Sequence, residues 1–206
     1  MNSHEPLVFI VSGPSGSGKS TLVKKLRELP GMLFSVSCTT RPPRPTESNG
    51  EWYNFVSREE FQRMAAAGEF LEYAQVFGQH WYGTPKKWLD QARASGQDLV
   101  LEIDVQGAEQ VKHKLPRAIS VFILPPSRAA LEERLRERSE DAAEEVRRRL
   151  DRARDEMLRY KDYDHVVVND DAERAGREVQ AIATAARSRT ADNERRIQKI
   201  LETFGG

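Results

Sequence analysis

The sequence predicts an α/β fold, in which a mostly parallel sheet is flanked by helices. Three apolar runs, at residues 7–11, 99–103 and 118–124, each suit a strand that is buried on both faces. The first run leads into a glycine-rich loop and then into apolar residues at helical spacing. Because strands and helices alternate without an internal repeat or a long linker, we expect one domain over residues 1–206.

The first half of the chain is predicted to contain several short elements. The helix after the glycine-rich loop should end at Pro30 and Gly31. Residues 57–60, with the sequence SREE, resemble a capping box, and the helix that they open should run to about Ala67. The other elements expected here are strands at 33–37 and 69–76, a strand and turn at 81–84, and a helix from Pro85 to about Gly96.

The second half is predicted to be more helical. Helices are expected over 105–114 and 172–187, and a short strand over 166–170. Residues 127–160 have a helical pattern with dense charge of both signs, which periodicity alone favours as a solvated helix. The tail, 188–206, is compatible with a helix that packs on the body or on a second subunit.

The glycine-rich loop carries the clearest chemical signal. Residues 13–20 read GPSGSGKS and fit the pattern G-x-x-x-x-G-K-[ST], whose backbone N–H groups and helix N-terminus bind phosphate. Lys19 is expected to reach the β- and γ-phosphates of a nucleotide, and the Ser20 hydroxyl to bind Mg²⁺. A flexible Gly/Ser loop is the alternative, but such a loop does not require Lys and Ser at the start of a helix. The residues predicted to bind ATP here are Gly13, Pro14, Ser15, Gly16, Ser17, Gly18, Lys19, Ser20 and Thr21.

Two acidic residues end the second apolar run. Glu102 and Asp104 are two residues apart and lie at the carboxyl end of a predicted strand, where open α/β sheets bind their ligands. A strand that ends in carboxylates is typical of Mg²⁺ binding beside a phosphate loop. We therefore predict that Glu102 contributes to the metal site through water, together with Ser20. The alternative is a charged strand end that is exposed to water.

A proline-rich segment presents two arginines. Prolines at 42, 43 and 45 keep this segment extended, so Arg41 and Arg44 project from a stiff loop. Two rigidly held guanidinium groups suit a second phosphate. A solvated linker is the alternative, although the turn sequence Asn49-Gly50 and the aromatic residues after it favour a small β substructure.

Composition restricts the choice of partners and compartment. Lys plus Arg and Asp plus Glu both number 32, so no global basic field indicates nucleic acid. No signal peptide or membrane-spanning run is apparent, and the lone Cys38, interpreted as a small filler, suits a reducing cytoplasm. The four histidines lack metal-ligand spacing. We expect a cytoplasmic protein that binds neither nucleic acid nor membranes.

Seven separate motifs coincide with those of one family. The sequence resembles the bacterial guanylate kinases from about residue 7 to residue 187, and a phosphate loop alone would be far less specific than this ordered set. The motifs are GPSGSGKS at 13–20, SCTTRPPR at 37–44, GEWYNF at 50–55, EFLEY at 69–73, YGTP at 82–85, IDVQG at 103–107 and VND at 168–170.

The resemblance implies a P-loop NTPase core, a small mixed α+β insertion that binds GMP, and a helical lid. The core would comprise 5–36, 92–126 and 161–187, the insertion 37–91, the lid 127–160 and the tail 188–206. The arginines expected to act catalytically with Lys19 are Arg134, Arg138 and Arg149. The residues expected to bind GMP are Ser37, Arg41, Arg44, Tyr53, Glu72, Tyr82, Thr84 and Asp104, while Asn169 would lie near adenine. Cys38 and Thr84 depart from the Ser of many relatives.

The implied reaction is Mg²⁺-dependent transfer of the ATP γ-phosphoryl group to GMP. The sequence leaves open whether dGMP is accepted, although the family resemblance makes this plausible. Two other activities compatible with the motifs are phosphorylation of a ribose bisphosphate or another nucleotide, and phosphopeptide binding without turnover. The first has no need of a guanine reader at Glu72, and the second has no use for Lys19 and Ser20. The sequence leaves open whether the protein is a monomer or a homo-oligomer.

Overall fold

The computed structural model describes residues 5–45, 47–76, 78–138 and 143–205, and the strands among them form two sheets. In spatial order, the first sheet consists of β2 (Met32–Phe34), β7 (Asp98–Glu102), β1 (Val8–Ser12), β8 (Ile119–Leu124) and β9 (His165–Val168). Every neighbouring pair in this sheet is parallel. The predicted α/β class is therefore confirmed.

Helices cover both faces of the first sheet. One face is covered by α1 (Lys19–Arg27) and α7 (Ala172–Ala186), and the other by α3 (Lys87–Ser95) and α4 (Val105–Lys114). Since side chains alternate along a strand, Phe9 and Val11 of β1 join the first cluster and Val8 and Ile10 join the second. Burial on both faces explains why β1 has an uninterrupted apolar sequence.

The second sheet is mixed, and all of its strands follow β2 in the sequence. In spatial order, it consists of β4 (Tyr53–Phe55), β3 (Ser37–Thr39), β6 (His80–Pro85) and β5 (Phe70–Val76). Helix α2 (Arg58–Ala66) packs on it through Phe61, in a cluster with Cys38 and Phe70. The Ser57 hydroxyl accepts a hydrogen bond of 3.1 Å from the Glu60 amide, so the predicted helix cap is confirmed.

Two sequence-based boundaries are wrong. The single strand predicted at 33–37 is split, because β2 ends at Phe34 in the first sheet and β3 begins at Ser37 in the second. Pro85, predicted to open a helix, is the last residue of β6 and pairs with Phe70, and α3 begins at Lys87. Both errors occur where the chain passes between the two sheets, which local periodicity does not reveal.

The charged segment at 127–160, in which one solvated helix was predicted, contains two α-helices. These are α5 (Arg128–Arg138) and α6 (Ala143–Met157), and residues 139–142 between them lie outside the described part. They bury an apolar cluster of their own, formed by Leu131, Leu135, Val146, Leu150 and Ala153. A 3₁₀ helix (Leu158–Asp162) then returns the chain to β9, and α8 (Thr190–Glu202) forms the tail.

Asp98 connects the amino-terminal edge of the first sheet to α7. One carboxylate oxygen accepts a hydrogen bond from the Leu7 amide at 3.0 Å, and the other accepts one from Arg187 Nε at 2.7 Å. Arg187 also donates to the Pro30 carbonyl at 3.0 Å.

None of the helices within the described ranges has the length and apolar character needed to cross a membrane.

Candidate active site

The loop between β1 and α1 requires glycine at two positions. Gly13 and Gly18 have φ angles of +142° and +90°, which other residues rarely adopt. A Cβ atom at Gly13 would lie 2.3 Å from the Ile123 carbonyl oxygen, and one at Gly18 would lie 2.1 Å from Asn169 Nδ2. The loop backbone therefore packs too closely on its surroundings for any side chain at these two positions.

The side chains at the start of α1 have the arrangement expected of a phosphate loop. Lys19 Nζ donates to the carbonyl oxygens of Gly13 at 2.7 Å and Pro14 at 2.9 Å, which holds the ammonium group over the loop. Ser20 Oγ donates to Glu102 Oε1 at 2.6 Å. Register brings Glu102 here, because it pairs with Val11 across the parallel β1–β7 ladder. Neighbouring hydroxyl and carboxylate oxygens are hard ligands of the kind that Mg²⁺ prefers, so these residues fit that ion.

A cleft of about 590 Å³ joins this loop to the second sheet and to helices α5 and α6. The predicted residues that line it are Gly13, Ser15, Gly16, Gly18, Lys19, Ser20, Thr21, Ser37, Arg41, Arg44, Tyr53, Glu72, Tyr82, Glu102, Asp104, Arg134 and Arg149. Pro14, Ser17, Thr84 and Asn169 do not line it. Arg138 ends α5, but its side chain lies outside the described part of the chain.

One end of the cleft is cationic and aromatic. The Arg41 guanidinium lies 5.3 Å from the Tyr53 ring centroid and 5.4 Å from that of Phe55. Tyr53 and Tyr82 are in edge contact, with ring centroids 5.7 Å apart. Glu47, which sequence analysis did not select, forms a two-bonded ion pair with Arg41. This end therefore presents held guanidinium and hydroxyl donors, which are suited to a phosphate.

Another part of the cleft contains a buried carboxylate. Glu72 on β5 is only 3% exposed, and its Oε1 accepts a hydrogen bond of 2.6 Å from Thr84 Oγ1. Because the single Thr84 hydroxyl hydrogen is used in this bond, Ser37 Oγ, 3.2 Å away, donates to Thr84. Burial, with a further contribution from the negative charge of Asp104, raises the pKa of Glu72 to about 7, while the Thr84 hydrogen bond opposes the shift.

Asp104 and Thr84 have structural contacts besides their predicted role. Asp104 is the N-cap of α4, where Oδ1 accepts a hydrogen bond of 2.8 Å from the Gly107 amide. Thr84 is completely buried behind Glu72. Its hydroxyl forms the contact to Glu72, so Thr in place of the Ser expected from the family resemblance preserves this contact. Cys38 faces away from the cleft into the α2 cluster, whereas Ser37 beside it lines the cleft.

Asn169 and Arg134 connect the loop to helix α5. The Asn169 side chain is buried, and its Nδ2 donates to the Ser17 carbonyl at 2.8 Å. The Asn169 carbonyl accepts a hydrogen bond of 2.9 Å from Arg134 Nη2 on α5. Arg134 Nη1 is also buried, and no described group accepts a hydrogen bond from it. A buried guanidinium nitrogen at the cleft wall indicates a position for an anionic ligand.

Glu156 on α6 was also missed by sequence analysis. Its carboxylate lines the cleft and pairs with Arg152 Nε at 3.1 Å. Burial raises the pKa of Glu156, while the nearby charges of Lys19 and Arg152 oppose the shift. The signal that could have found Glu156 is its spacing of seven residues from Arg149, which places both side chains on one face of a helix.

The comparisons with known proteins agree with this geometry. The family model described as guanylate kinase matches residues 5–186. A guanylate kinase of Koribacter versatilis is 51% identical over 96% of this chain and 95% of its own, and one of Symbiobacterium thermophilum is 47% identical over 98% and 96%. Among solved structures, the guanylate kinase of Anaplasma phagocytophilum superposes with a TM-score of 0.75 at 36% identity, covering 91% of this chain and 89% of that one.

The match spans both sheets and the lid, and it includes the loop, the arginine segment and the buried carboxylate that together form the cleft. The family model covers most of the chain, and the relatives are well above 30% identical over nearly their whole length. The chain therefore belongs to the guanylate kinase family.

Proposed function

We propose that this protein transfers the γ-phosphoryl group of ATP to GMP, giving ADP and GDP, as a step of purine nucleotide metabolism. The observation that carries the proposal is a single cleft that joins a phosphate loop, a pair of arginines and a buried carboxylate. The loop would bind the ATP phosphates, and Arg41, Arg44, Tyr53 and Tyr82 would bind the GMP phosphate. The two phosphates would then face each other across the cleft.

The reaction needs alignment more than it needs a base. The phosphate of GMP is already an anionic nucleophile near neutral pH, so we assign no residue to remove a proton. Lys19, Arg134 and Arg149 would neutralise the charge of the transferring group, and Arg138 is assigned the same role by family resemblance. Mg²⁺, held by Ser20 and through water by Glu102, would supply further positive charge at the β- and γ-phosphates.

The choice of base follows from the chemistry of Glu72. An ionised carboxylate accepts hydrogen bonds from guanine N1–H and the 2-amino group together, whereas adenine presents an acceptor at N1 and no 2-amino group. Ser37, Thr84 and Asp104 complete the base site, with Ser37 and Thr84 acting on the orientation of Glu72. A buried polar group without a partner is costly, so this site should reject AMP by about 10⁴-fold.

We assign the parts of the chain as follows. Residues 5–36, 92–126 and 161–187 form the core, 37–91 the GMP-binding insertion, 127–160 the lid and 188–206 the tail. The apolar cluster between α5 and α6 supports a lid that moves as a unit and excludes water, which would otherwise compete with GMP for the phosphoryl group. Asn169, buried beside the loop, is assigned to the adenine side of the ATP site. The single cysteine suits the cytoplasm, in which we place the reaction.

The test is an ADP-release assay with ATP and each of several acceptors, with and without Mg²⁺. The acceptors are GMP, dGMP, AMP, CMP, UMP and ribose 1,5-bisphosphate. We expect Mg²⁺-dependent turnover with GMP, none or very little with the other bases, and loss of turnover in the Lys19→Ala variant. Preference for ribose 1,5-bisphosphate would contradict the proposal, as would tight phosphopeptide binding without ADP release.

A further inference from the structure

Glu47 forms several polar contacts with the arginine segment, although it lies on a surface loop. Its Oε2 accepts hydrogen bonds from Arg41 Nη1 at 2.6 Å and from the Arg44 amide at 2.9 Å, and its Oε1 accepts one from Arg41 Nη2 at 3.0 Å. Arg44 Nη1 lies 3.6 Å from Oε1. The Glu47 side chain is only 15% exposed, so these bonds are shielded from solvent.

The contacts use a defined part of the Arg41 guanidinium. A guanidinium group has five N–H donors in a fixed plane. Three of them are used here, two by Glu47 and one by the Pro42 carbonyl at 2.9 Å. The rings of Tyr53 and Phe55 pack against the same guanidinium. Tyr82, which lines the cleft, also forms a side-chain hydrogen bond with Arg41. Rotation of Arg41 is thus restricted both in its plane and across it.

We propose that Glu47 is a positioning residue for the GMP phosphate: it holds Arg41, and through the Arg44 amide the whole arginine loop, in the phosphate-binding orientation before GMP arrives. This role rests on the proposed function. The opposite possibility is that Glu47 competes with phosphate for Arg41, in which case removing it would tighten binding. The geometry favours positioning, because Arg41 lines the cleft while it is paired with Glu47, whereas Glu47 itself does not line the cleft.

The charge state of the pair agrees with this role. Although burial opposes ionisation, the hydrogen bonds from Arg41 and the Arg44 amide lower the pKa of Glu47. Glu47 is therefore ionised throughout the neutral range. Holding a guanidinium in place before binding lowers the entropy lost when the phosphate is bound, which is the usual benefit of a preorganised site.

The experiment compares GMP with guanosine, which lacks only the phosphate. Binding of each ligand is measured by calorimetry for the wild type, Glu47→Gln and the control Glu51→Gln, whose carboxylate is exposed on the same loop. Glutamine keeps the shape of Glu47 but cannot accept two bonds from Arg41. We expect Glu47→Gln to weaken GMP binding about 10-fold or more and to leave guanosine binding unchanged. The KM for GMP should rise by a similar factor, without change in the KM for ATP.

Two further variants separate positioning from general damage. Arg41→Lys should weaken GMP binding, and adding Glu47→Gln to it should cost little more, because Lys cannot form the two-bonded pair. Equal loss of GMP and guanosine binding in Glu47→Gln would indicate structural damage, and tighter GMP binding would indicate competition; either result overturns the inference. If the wild type binds GMP with this phosphate dependence but releases no ADP, the proposed function fails and the role of Glu47 stands.

Discussion

Glu72 shows how a single side chain combines recognition with an energetic cost. Its carboxylate is almost fully buried and receives a hydrogen bond from Thr84, which itself receives one from Ser37. These two hydroxyl groups fix the direction of the carboxylate but do not remove the cost of its charge. The pKa of Glu72 is consequently raised to about 7, chiefly by burial. The residue that would read guanine is therefore partly protonated near neutral pH in the absence of a ligand.

The raised pKa of Glu72 predicts a pH dependence of guanosine binding. Only the ionised carboxylate accepts from both N1–H and the 2-amino group, so guanosine affinity should fall roughly tenfold between pH 8 and pH 6. Guanosine is the appropriate ligand, since the phosphate of GMP has its own titration near pH 6. Calorimetry over this range should give a flat and weaker profile for Glu72→Gln, which retains His80 and every other group of the cleft. A wild-type profile without a slope would contradict the assignment.

The same titration affects stability in the opposite direction. The pKa of Glu72 in the folded protein, about 7, is higher than the ordinary value of 4.5, so the folded state binds this proton more tightly than the unfolded state. The contribution of this proton to the free energy of unfolding is fully present below pH 4.5 and is lost as the pH rises through about 7. Urea unfolding should show wild type losing up to about 3 kcal/mol relative to Glu72→Gln between pH 4.5 and pH 8.

Residues were predictable from sequence when their chemistry was local. The loop residues Gly13, Lys19 and Ser20 could be selected because strand, loop and helix are adjacent in the chain. Glu47 and Glu156 were missed, because each is one of 32 acidic residues and acquires its partners only in the folded protein. The signal available for Glu47 was its position three residues after Arg44 and six residues after Arg41.

At the scale of elements, the important contact is between α4 and β5. Gly107 in the first turn of α4 has no side chain, and a Cβ atom placed there would lie 2.4 Å from Glu72 Oε2. The carboxylate of Glu72 therefore lies against the beginning of α4, in space that only glycine leaves open. Gly107, the glycine of the IDVQG motif, is therefore required for a steric reason that the neighbouring sequence does not reveal.

Gly107→Ala is expected to damage recognition more than folding. The new methyl group would displace the Glu72 carboxylate, which is the end of a side chain, and the backbone could stay in place. We expect the KM for GMP to rise about 10- to 100-fold, because small displacements of a reading group are costly, with little change in the KM for ATP. The matched control is Gly176→Ala in α7, where the atoms nearest to the methyl group would belong to the stem of the Lys25 side chain, outside the cleft. Unchanged GMP kinetics in Gly107→Ala would show that Glu72 adapts freely.

Element prediction failed where one apolar run serves two sheets. Residues 33–37 satisfy the criteria for one strand, but β2 pairs with β7 of the first sheet and β3 with β4 and β6 of the second. Between them, the Ser35 amide still donates to Val100, whereas Val36 accepts a bond from Trp88 Nε1 at 3.0 Å. Such a change of partner depends on residues that are 16 to 66 positions away in the chain, so a local window cannot detect it.

At the scale of the molecule, the parallel sheet and its helices were predictable from the sequence, but the points at which the second sheet connects to the first were not. Apolar runs buried on both faces, separated by helical stretches, are sufficient to predict a parallel sheet. The place where the second sheet connects to the first sheet depends on long-range contacts, such as the hydrogen bond from Trp88 to the Val36 carbonyl. The predicted boundary of the insertion at residue 91 falls inside α3, whose Leu89 and Ala92 pack on the first sheet.

The contact between Asp98 and Arg187 supports the whole core and offers a test away from the cleft. Arg187→Met would leave the buried Asp98 carboxylate with the Leu7 amide alone. Because Arg187 is about one-third exposed, we expect a loss of about 1 to 3 kcal/mol in the free energy of unfolding. Urea unfolding measures this loss, with the exposed Arg189→Met as control. GMP and ATP kinetics at 25 °C should not change; equal stability of both variants would contradict the role of the pair.

The alternation of β3 places Ser37 at the cleft and Cys38 in the α2 cluster, where burial raises the pKa of its thiol to about 11. The protein thus has a single native sulfhydryl that is both hidden and un-ionised at physiological pH. Maleimide dyes should therefore not react with Cys38. A cysteine introduced at an exposed position could then be labelled selectively without first replacing Cys38. Closure of the cleft would then be accessible to fluorescence or spin-label distance measurements in an otherwise unaltered protein.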